Sequence, residues 1–385
     1  MQVKNIYHHK NYKLFPLIPI ALLLISLVFI PRIPLDSSLK GGINVQLQTN
    51  STVDIRMLTA EIDSKIPGAQ ASISTSPGGI SVTIATNSSL AAAEQTLLQL
   101  YSYDGNYSTA AYRIATLQLA LKNQSSNATL QAALQGEEAN QSRALAQMDT
   151  ATAAMLASLK PLLNNTYAYN TSDPTSMITA AKSSYADASD NYKNYVVNTL
   201  HQSVPFTTYS YNEVTPTLGA YFLGQMVWII ITAFILVAIA VFLLFRTPIP
   251  SLSVVFGSGN DILVALGAMG LFGIPLGVAS IGGLLMLIGY SIDTDMLSAI
   301  RILKRGEDTP AERAFGTMKT GMTMTFAAII SFSILLIISY VTFIPTYFDI
   351  SSIVLFGLVA DLFTTWLGNT PMVLWYKQKK EARIS

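Results

Sequence analysis

Long stretches without any charged side chain constrain this chain more than any other feature. One lies near the N-terminus, and others fill most of the chain after residue 220. A helix that crosses a bilayer needs about 20 mostly apolar residues, and all its backbone polar groups must be hydrogen-bonded internally. Since 51% of the 385 residues are apolar and only 12% are charged, the sequence predicts an α-helical membrane protein, not a set of soluble domains.

Six segments have the length and composition of membrane spans. They are residues 14–30, 221–245, 250–272, 276–297, 320–342 and 351–376. The first segment resembles an export signal, because Lys4, Lys10 and Lys13 precede it. However, no small-residue cleavage site follows it before Pro31, so it is predicted to be a retained helix.

The positions of lysine and arginine predict the orientation. These residues cluster before the first span, in the loop after the fourth span and after the sixth span. Six spans place all three clusters on the same side, and an excess of positive charge in short loops marks the cytoplasm. Both termini, residues 1–13 and the basic tail 377–385, are therefore predicted to be cytoplasmic, and residues 32–220 external. Residues 1–31 then hold the cytoplasmic N-terminus and first span, and residues 221–376 form a five-helix bundle.

The pattern between residues 32 and 220 predicts an α+β domain. Ile43, Val45 and Leu47 alternate with polar residues, as in a half-buried strand. This strand is followed by a helix, two strands, a second helix near Ser89 and a last strand at 206–214. This order is that of a ferredoxin-like unit built from residues 36–106 and 202–215. Residues 107–201 have helical spacing and are predicted to be an inserted helical hairpin bent between Pro161 and Pro174; an arm that binds a partner is the other interpretation.

Composition excludes several classes of function. A net charge of +1 argues against nucleic-acid binding, which usually requires a strongly basic face. The chain has no cysteine, its three histidines do not have metal-ligand spacing, and it lacks a phosphate-binding loop. No cofactor, metal or enzymatic activity is therefore expected, and ATP is not the expected energy source.

Ionisable residues inside the predicted spans are the candidate functional groups, because each costs several kcal/mol in a bilayer. They are Asp261, Asp293, Asp295, Asp361 and Lys319. Carboxyl groups that gain and lose a proton as helices move would form a proton relay. Asp361 is the best candidate for a plain hydrogen bond to a neighbouring helix instead. Lys319 either pairs with an acid or extends to the membrane surface. Asp293 and Asp295 lie about 200° apart around a helix, so one of them is expected to matter more.

Several short motifs resemble those of a known family. Asp36 and the segment Leu39-Lys-Gly41-Gly42 follow the first span, and Val-x-Pro216-x-Leu-Gly219 leads into the second. The third span holds "NDILVALG", the fourth "GYSIDTDML" followed by a basic segment containing Arg301, and the fifth begins with "MKTGMTMT". Outside the insertion, the chain resembles the SecF branch of the SecD/SecF family of protein-export membrane proteins, in its archaeal form.

The resemblance implies an auxiliary subunit of the Sec translocon. Its partners would be SecD, the SecYE channel and unfolded exported polypeptides, and it would couple the proton gradient to a late step of translocation. By analogy with the family's fourth span, Asp293 is favoured as the key acid, followed by Asp295, and Lys319 stands where the family has an arginine. The coupling ion, H⁺ or Na⁺, stays open. The alternatives are a SecD-like paralogue, half of a small-molecule or lipid exporter of the resistance-nodulation-division type, and a passive scaffold.

Overall fold

The computed structural model describes residues 5–9, 11–49, 53–76, 79–124, 126–304, 308–342 and 344–382. The chain divides into two compact units. The membrane unit comprises Met1–Gly41, Thr75–Ile80 and Leu218–Ser385, and the second unit comprises Gly42–Ser74 and Ser81–Thr217. In chain order the elements are α1 Leu17–Phe29, α2 Ser37–Lys40, β1 Gly42–Gln48, α3 Ile55–Lys65, β2 Ser72–Ser76, β3 Gly79–Ile84, α4 Ser88–Asn123, α5 Ala128–Leu159, α6 Pro174–Ser203, β4 Thr208–Val214, α7 Pro216–Phe245, α8 Pro248–Phe272, α9 Ala279–Lys304, α10 Pro310–Thr342, α11 Pro345–Phe363 and α12 Thr370–Glu381.

Six helical segments in the described part of the chain are long and apolar enough to cross a membrane, which confirms the predicted number of spans. They are Tyr12–Arg32, Pro216–Phe245, Pro248–Phe272, Ala279–Leu303, Pro310–Thr342 and Thr346–Glu381. Several helices extend beyond the predicted limits. The fourth continues into the basic segment that was predicted to be a loop, and the fifth begins at Pro310 instead of residue 320. Hydropathy marks the apolar part of a helix, whereas its backbone hydrogen bonds continue into polar sequence.

Three of the spans form the interior of the membrane unit. Within the most apolar stretch of each span, half of the residues of α8, half of those of α9 and 61% of those of the last span are buried, against 6% in α7 and 11% in α10. The outer helices α7 and α10 expose isoleucine, leucine and aromatic side chains, among them Trp228, Leu243 and Ile337. A helix that is apolar on its outward face is what a lipid environment requires. The six segments and this apolar surface describe a multi-pass membrane protein.

The last span is not a uniform α-helix. A π-helical segment, Thr364–Asn369, separates α11 from α12. Because a π-helical turn shifts the backbone hydrogen bonds by one residue, such a segment releases carbonyl groups from their usual partners. The side-chain hydroxyl of Tyr7 donates to the Trp366 carbonyl oxygen at 2.9 Å. A residue close to the N-terminus thereby stabilises the irregular turn.

The second unit is built around the one four-stranded sheet found in the described residues, with strand order β2-β3-β1-β4. β1 and β4 are antiparallel, with Gly42 opposite Val214 and Gln48 opposite Thr208. Ile43, Val45 and Leu47 are all fully buried, which confirms the half-buried strand predicted from their alternation. Pro77 and Gly78, between β2 and β3, lie outside the described residues.

Three long helices replace the predicted hairpin. α4 runs without a break through residue 107, where the insertion was predicted to begin, and pairs along its length with α5. Asn87 and Asn127 cap the N-termini of these helices with their side-chain oxygens. The predicted bend is present between α5 and α6, where α6 begins at Pro174. The continuous α4 was missed because Asp104, Gly105 and Asn106, all poor helix formers, stand just before that boundary, although the helix runs through them.

Hydrogen bonds attach α4 and α6 to the end of the sheet. Thr215 donates to Glu94 of α4 at 2.5 Å, and Ser189 of α6 donates to Glu213 of β4 at 3.4 Å. Tyr211 donates to the same Glu213 carboxylate at 3.2 Å. Burial raises the pKa of Glu213 above its usual value, although these hydrogen bonds act in the opposite direction.

Candidate functional site

Three of the predicted acidic residues lie inside the membrane unit, on its three inner helices. Asp261 of α8, Asp295 of α9 and Asp361 of α11 are each fully buried. Ion pairs in the described residues are Lys65–Glu61, Arg113–Glu137 and Lys377–Glu381, none of which involves these acids. The carboxyl groups therefore depend on hydroxyl and amide partners for their stability, because isolated charges are very costly in such an environment.

One hydroxyl group bridges two of the carboxyls. Thr365 Oγ1 lies 2.7 Å from Asp295 Oδ1 and 2.7 Å from Asp361 Oδ1. A threonine hydroxyl has a single hydrogen to donate and can accept one or two hydrogen bonds. It can donate to only one of the two carboxyls, so the other contact is a hydrogen bond only if that carboxyl is itself protonated. The arrangement thus accommodates one proton shared by Asp295 and Asp361 through Thr365.

Further hydroxyl groups complete the surroundings of the cluster. Ser291 Oγ donates to Asp261 Oδ2 at 2.6 Å, and Thr325 Oγ1 donates to Asp361 Oδ2 at 3.3 Å. Asn260 Nδ2 donates to Thr364 Oγ1 at 2.7 Å. Several buried oxygens have no hydrogen-bond partner in this arrangement: Asn260 Oδ1, Asp261 Oδ1 and Asp295 Oδ2. No group of three or more His, Cys, Asp or Glu side chains in the described part of the chain is arranged to hold a metal ion.

The local backbone brings these groups together. A side chain at Gly257 of α8 would overlap Asp295 Oδ2, so the glycine lets α8 and α9 approach with the carboxyl between them. Asp361 and Thr365 are one turn apart on the last span, and the π-helical segment begins between them at Thr364. π-helical turns occur frequently at functional sites, because they reposition side chains within an otherwise regular helix.

The other two predicted residues lie outside this cluster. Asp293, the acid favoured by the resemblance, is exposed on α9, whereas Asp295 is buried. The two side chains lie on opposite sides of α9, as the predicted angle of about 200° between them requires. Lys319 is exposed, with its ammonium 4.7 Å from the centre of the Phe315 ring, and is in none of the ion pairs formed by the described residues. Arg301 donates to Thr320 at 3.4 Å.

The motif residues near the first and second spans have a structural explanation. Asp36 caps α2 by accepting a hydrogen bond from the Ser38 backbone. Gly41 and Gly42 have φ angles of 81° and 147°, a region that favours glycine. Pro216 is the first residue of α7, where proline is well tolerated. A side chain at Gly219 would come within 2.9 Å of the Gly41 backbone nitrogen, so this glycine allows α7 to contact the turn after α2.

Sequence reasoning did not identify Ser291, Thr325 or Thr365 as members of the site. A signal for them exists in the spacing. Ser291, Asp295 and Ser298 lie on one stripe of α9, as Asp361, Thr365 and Asn369 do on the last span. By contrast, the residues four positions before and after Asp293 are Gly289 and Leu297, which have no polar side chain. Polar residues repeating every three to four positions in an apolar helix therefore predict which acid faces the interior.

The sequence is similar to known proteins of one family. The family model described as "Protein export membrane protein SecD/SecF, C-terminal" matches residues 195–379. The protein-export membrane protein SecF of Methanothermobacter thermautotrophicus is 46% identical over 173 residues, which are 44% of this chain and 60% of the relative. SecF of Pyrococcus furiosus is 38% identical over 52% of this chain and 66% of its own length. SecF of Methanopyrus kandleri is 34% identical over 50% of this chain and 71% of its own length.

A solved structure is also similar. The crystal structure of SecDF, a translocon-associated membrane protein, from Thermus thermophilus matches with a TM-score of 0.49 and 13% sequence identity, over 97% of this chain and 60% of that chain. The matched segments span 60% and 66% of the first two archaeal relatives. Since the sequence similarity extends over more than two thirds of the Methanopyrus kandleri protein, the chain belongs to the SecF family of protein-export membrane proteins, in its archaeal form.

Proposed function

We propose that this chain is an auxiliary subunit of the Sec protein-export translocon. It works with SecD and the SecYE channel on unfolded exported polypeptides, and it carries out no covalent catalysis. Family membership supports the proposal, because each of the archaeal relatives is a protein-export membrane protein SecF. The interior of the membrane unit also supports it, since a buried cluster of three acids has a high cost that a passive scaffold would not need to bear.

The energy source is the proton gradient, and the observation that carries this proposal is the shared hydroxyl of Thr365. With one proton on the pair, both 2.7 Å contacts are hydrogen bonds. When that proton leaves, two carboxylates compete for a single hydroxyl hydrogen and repel each other in a medium of low dielectric constant. Loss of the proton therefore favours separation of α9 from the last span, and its return favours their contact.

The driving force available for this step is substantial. One elementary charge that crosses the membrane potential gains about 2.3 kcal/mol per 100 mV. An equilibrium between two helix arrangements changes tenfold for each 1.4 kcal/mol or so. A single proton at a potential of about 100 mV can therefore change the ratio of the two arrangements by more than tenfold. A proton suits the site better than Na⁺. Thr365 has one hydrogen to donate, so its second carboxyl contact is a hydrogen bond only when that carboxyl carries a proton.

Residues 32–220 form the external part, and both termini are cytoplasmic. The lysine and arginine distribution supports this orientation. The sheet order β2-β3-β1-β4, with a helix between β1 and β2 and helices between β3 and β4, supports a ferredoxin-like core carrying the helical insertion. Movement of the membrane helices would be transmitted to this part, which would hold the exported chain after it leaves the channel.

Copurification and secretion test the proposal together. The full chain, expressed in a strain that lacks its own SecF, is expected to copurify with SecD and to restore secretion that depends on the proton gradient. Asp295→Asn and Asp361→Asn are expected to copurify with SecD but not to restore secretion. Recovery as a homotrimer that binds drugs or lipids, without SecD, would support the exporter interpretation instead.

A further inference from the structure

A second group of oxygen atoms lies at one end of the membrane unit, on three segments that are far apart in sequence. Asp36 follows the first span, Gly277 lies between α8 and α9, and Asp349 is in the first turns of α11. Two backbone hydrogen bonds hold the first two segments together: Asp36 N to Leu276 O at 2.9 Å, and Leu276 N to the Pro34 carbonyl oxygen at 2.8 Å. This end of the bundle is separate from the carboxyl cluster of Asp261, Asp295 and Asp361.

The oxygens converge on one small space beside Gly277. The position that a Cβ atom on Gly277 would occupy is 2.8 Å from Asp349 Oδ2, 3.3 Å from Ser38 Oγ and 3.4 Å from Asp36 Oδ2. The absence of a side chain at residue 277 keeps this space open. The Ser38 hydroxyl accepts a hydrogen bond from the Val278 backbone at 3.1 Å, which fixes the position of the third oxygen.

Asp349 is a nearly buried acid without a partner among the described residues. It is 8% exposed, and in the described residues it forms neither a hydrogen bond nor an ion pair. Buried carboxylates are normally paired or coordinate a metal ion. Asp36 faces Asp349 as a second acid, and no cationic side chain of the described residues forms an ion pair with either of them.

We propose that Asp36, Ser38 and Asp349 bind a hard divalent cation of the Ca²⁺ class in the space beside Gly277. Carboxylate and neutral oxygen ligands are the set that Ca²⁺ prefers, and a site of two acids would balance its charge. Three protein side chains leave several positions for water, and the half-buried Asp36 and Ser38 give water access to the space. Mg²⁺ is less suitable, because it requires near-ideal octahedral geometry and loses water reluctantly.

The ion would join the turn after the first span to the start of the last span. Asp36 begins the α2 turn that contacts α7 through Gly219, and Asp349 lies on α11, which also carries Asp361. The site therefore fixes α11 relative to the first span without contacting the carboxyl cluster. This inference does not depend on the proposed function, since it concerns binding and stability of the isolated protein.

Direct binding to the purified full-length chain tests the inference. Equilibrium dialysis with ⁴⁵Ca²⁺ in detergent is expected to show one saturable site with a dissociation constant of roughly 10⁻⁴–10⁻³ M, the range of weak oxygen-ligand sites. Asp349→Asn removes a ligand charge, and Gly277→Ala places a methyl group where the oxygens converge. Each is expected to weaken binding by about tenfold or more. The φ angle of Gly277 is outside the glycine-specific region, so alanine fits the backbone.

The matched control is Asp190→Asn, which removes an exposed acid from α6 and is expected to bind Ca²⁺ as the wild type does. Size-exclusion profiles identify any variant that fails to fold, and Asp36→Asn then replaces it. Wild-type protein that binds no stoichiometric Ca²⁺ would overturn the inference without any variant. Unchanged binding by both Gly277→Ala and Asp349→Asn would also overturn it, because the ion would then lie elsewhere.

Discussion

Replacing Thr365 with valine removes the bridge between two buried carboxyls at almost constant volume. Valine has a methyl group where threonine has its hydroxyl, so the substitution deletes hydrogen bonds without opening a cavity. Asp361 would keep only the 3.3 Å contact from Thr325, and Asp295 would lose its one hydroxyl contact in the described structure. The variant therefore isolates the contribution of the shared proton from the contribution of packing.

The expected loss follows from the two 2.7 Å contacts. Hydrogen bonds between membrane helices contribute about 0.6 kcal/mol on average and up to about 1.7 kcal/mol, so two predict a loss of about 1–3 kcal/mol in the free energy of unfolding. Secretion is expected to fall by more than this loss of stability alone would cause. Without the hydroxyl, release of a proton from one carboxyl no longer changes the bonding of the other.

Stability and secretion are both measured to separate these effects. Thermal unfolding of the detergent-solubilised protein gives the stability change, and secretion that depends on the proton gradient gives the functional change. Thr365→Ser keeps the hydroxyl and is expected to recover most of both. A Thr365→Val variant with wild-type stability and wild-type secretion would refute the bridging role. A valine variant that keeps secretion and a serine variant that loses it would show that the methyl group matters, not the hydroxyl.

Three further predictions concern regions outside the carboxyl cluster. Burial raises the pKa of Glu213, so the folded protein loses stability as pH rises from the usual carboxyl range through the raised pKa, and Glu213 has no such effect at lower pH. Glu213→Gln is expected to flatten this fall in the free energy of unfolding, measured by unfolding the protein at a series of pH values. Gly219→Ala places a Cβ 2.8 Å from a backbone oxygen and is expected to lower the free energy of unfolding by about 1–3 kcal/mol, measured by thermal unfolding beside Gly224→Ala, which has open space. Tyr7→Phe leaves the Trp366 carbonyl without its 2.9 Å donor and is expected to cost about 1–2 kcal/mol in the same measurement.

Much of the membrane architecture could be predicted from the sequence, because the bilayer imposes a length and a composition that are visible in a single chain. All six spans were found this way. The alternation of Ile43, Val45 and Leu47 predicted β1 for a similar reason, since a strand with one buried face must repeat every second residue. Helix ends were less accurate, because hydropathy does not report where backbone hydrogen bonding stops. The helix of the fifth span, α10, for example, begins at Pro310, ten residues before the predicted residue 320.

The site was only partly predictable. The cost of a buried charge identified Asp261, Asp295 and Asp361 as candidates, and the structure brings all three into the interior. The preference for Asp293 came from an alignment with a family motif, which does not report which way a side chain faces. The π-helical segment at Thr364–Asn369 has no simple sequence signature, and it contains the hydroxyl that bridges two of the acids. Contacts between helices distant in sequence cannot be read from the periodicity of one helix alone.

Secretion by three single variants tests the central claim most directly. Asp293 and Asp295 are two residues apart on the same helix, and asparagine removes the ionisable group from either with little change in size. In a strain lacking its own SecF, Asp295→Asn and Asp361→Asn are expected to abolish the part of secretion that depends on the proton gradient, while Asp293→Asn retains it. Loss of that secretion in Asp293→Asn, with wild-type secretion in the other two variants, would contradict a proton step at the buried pair.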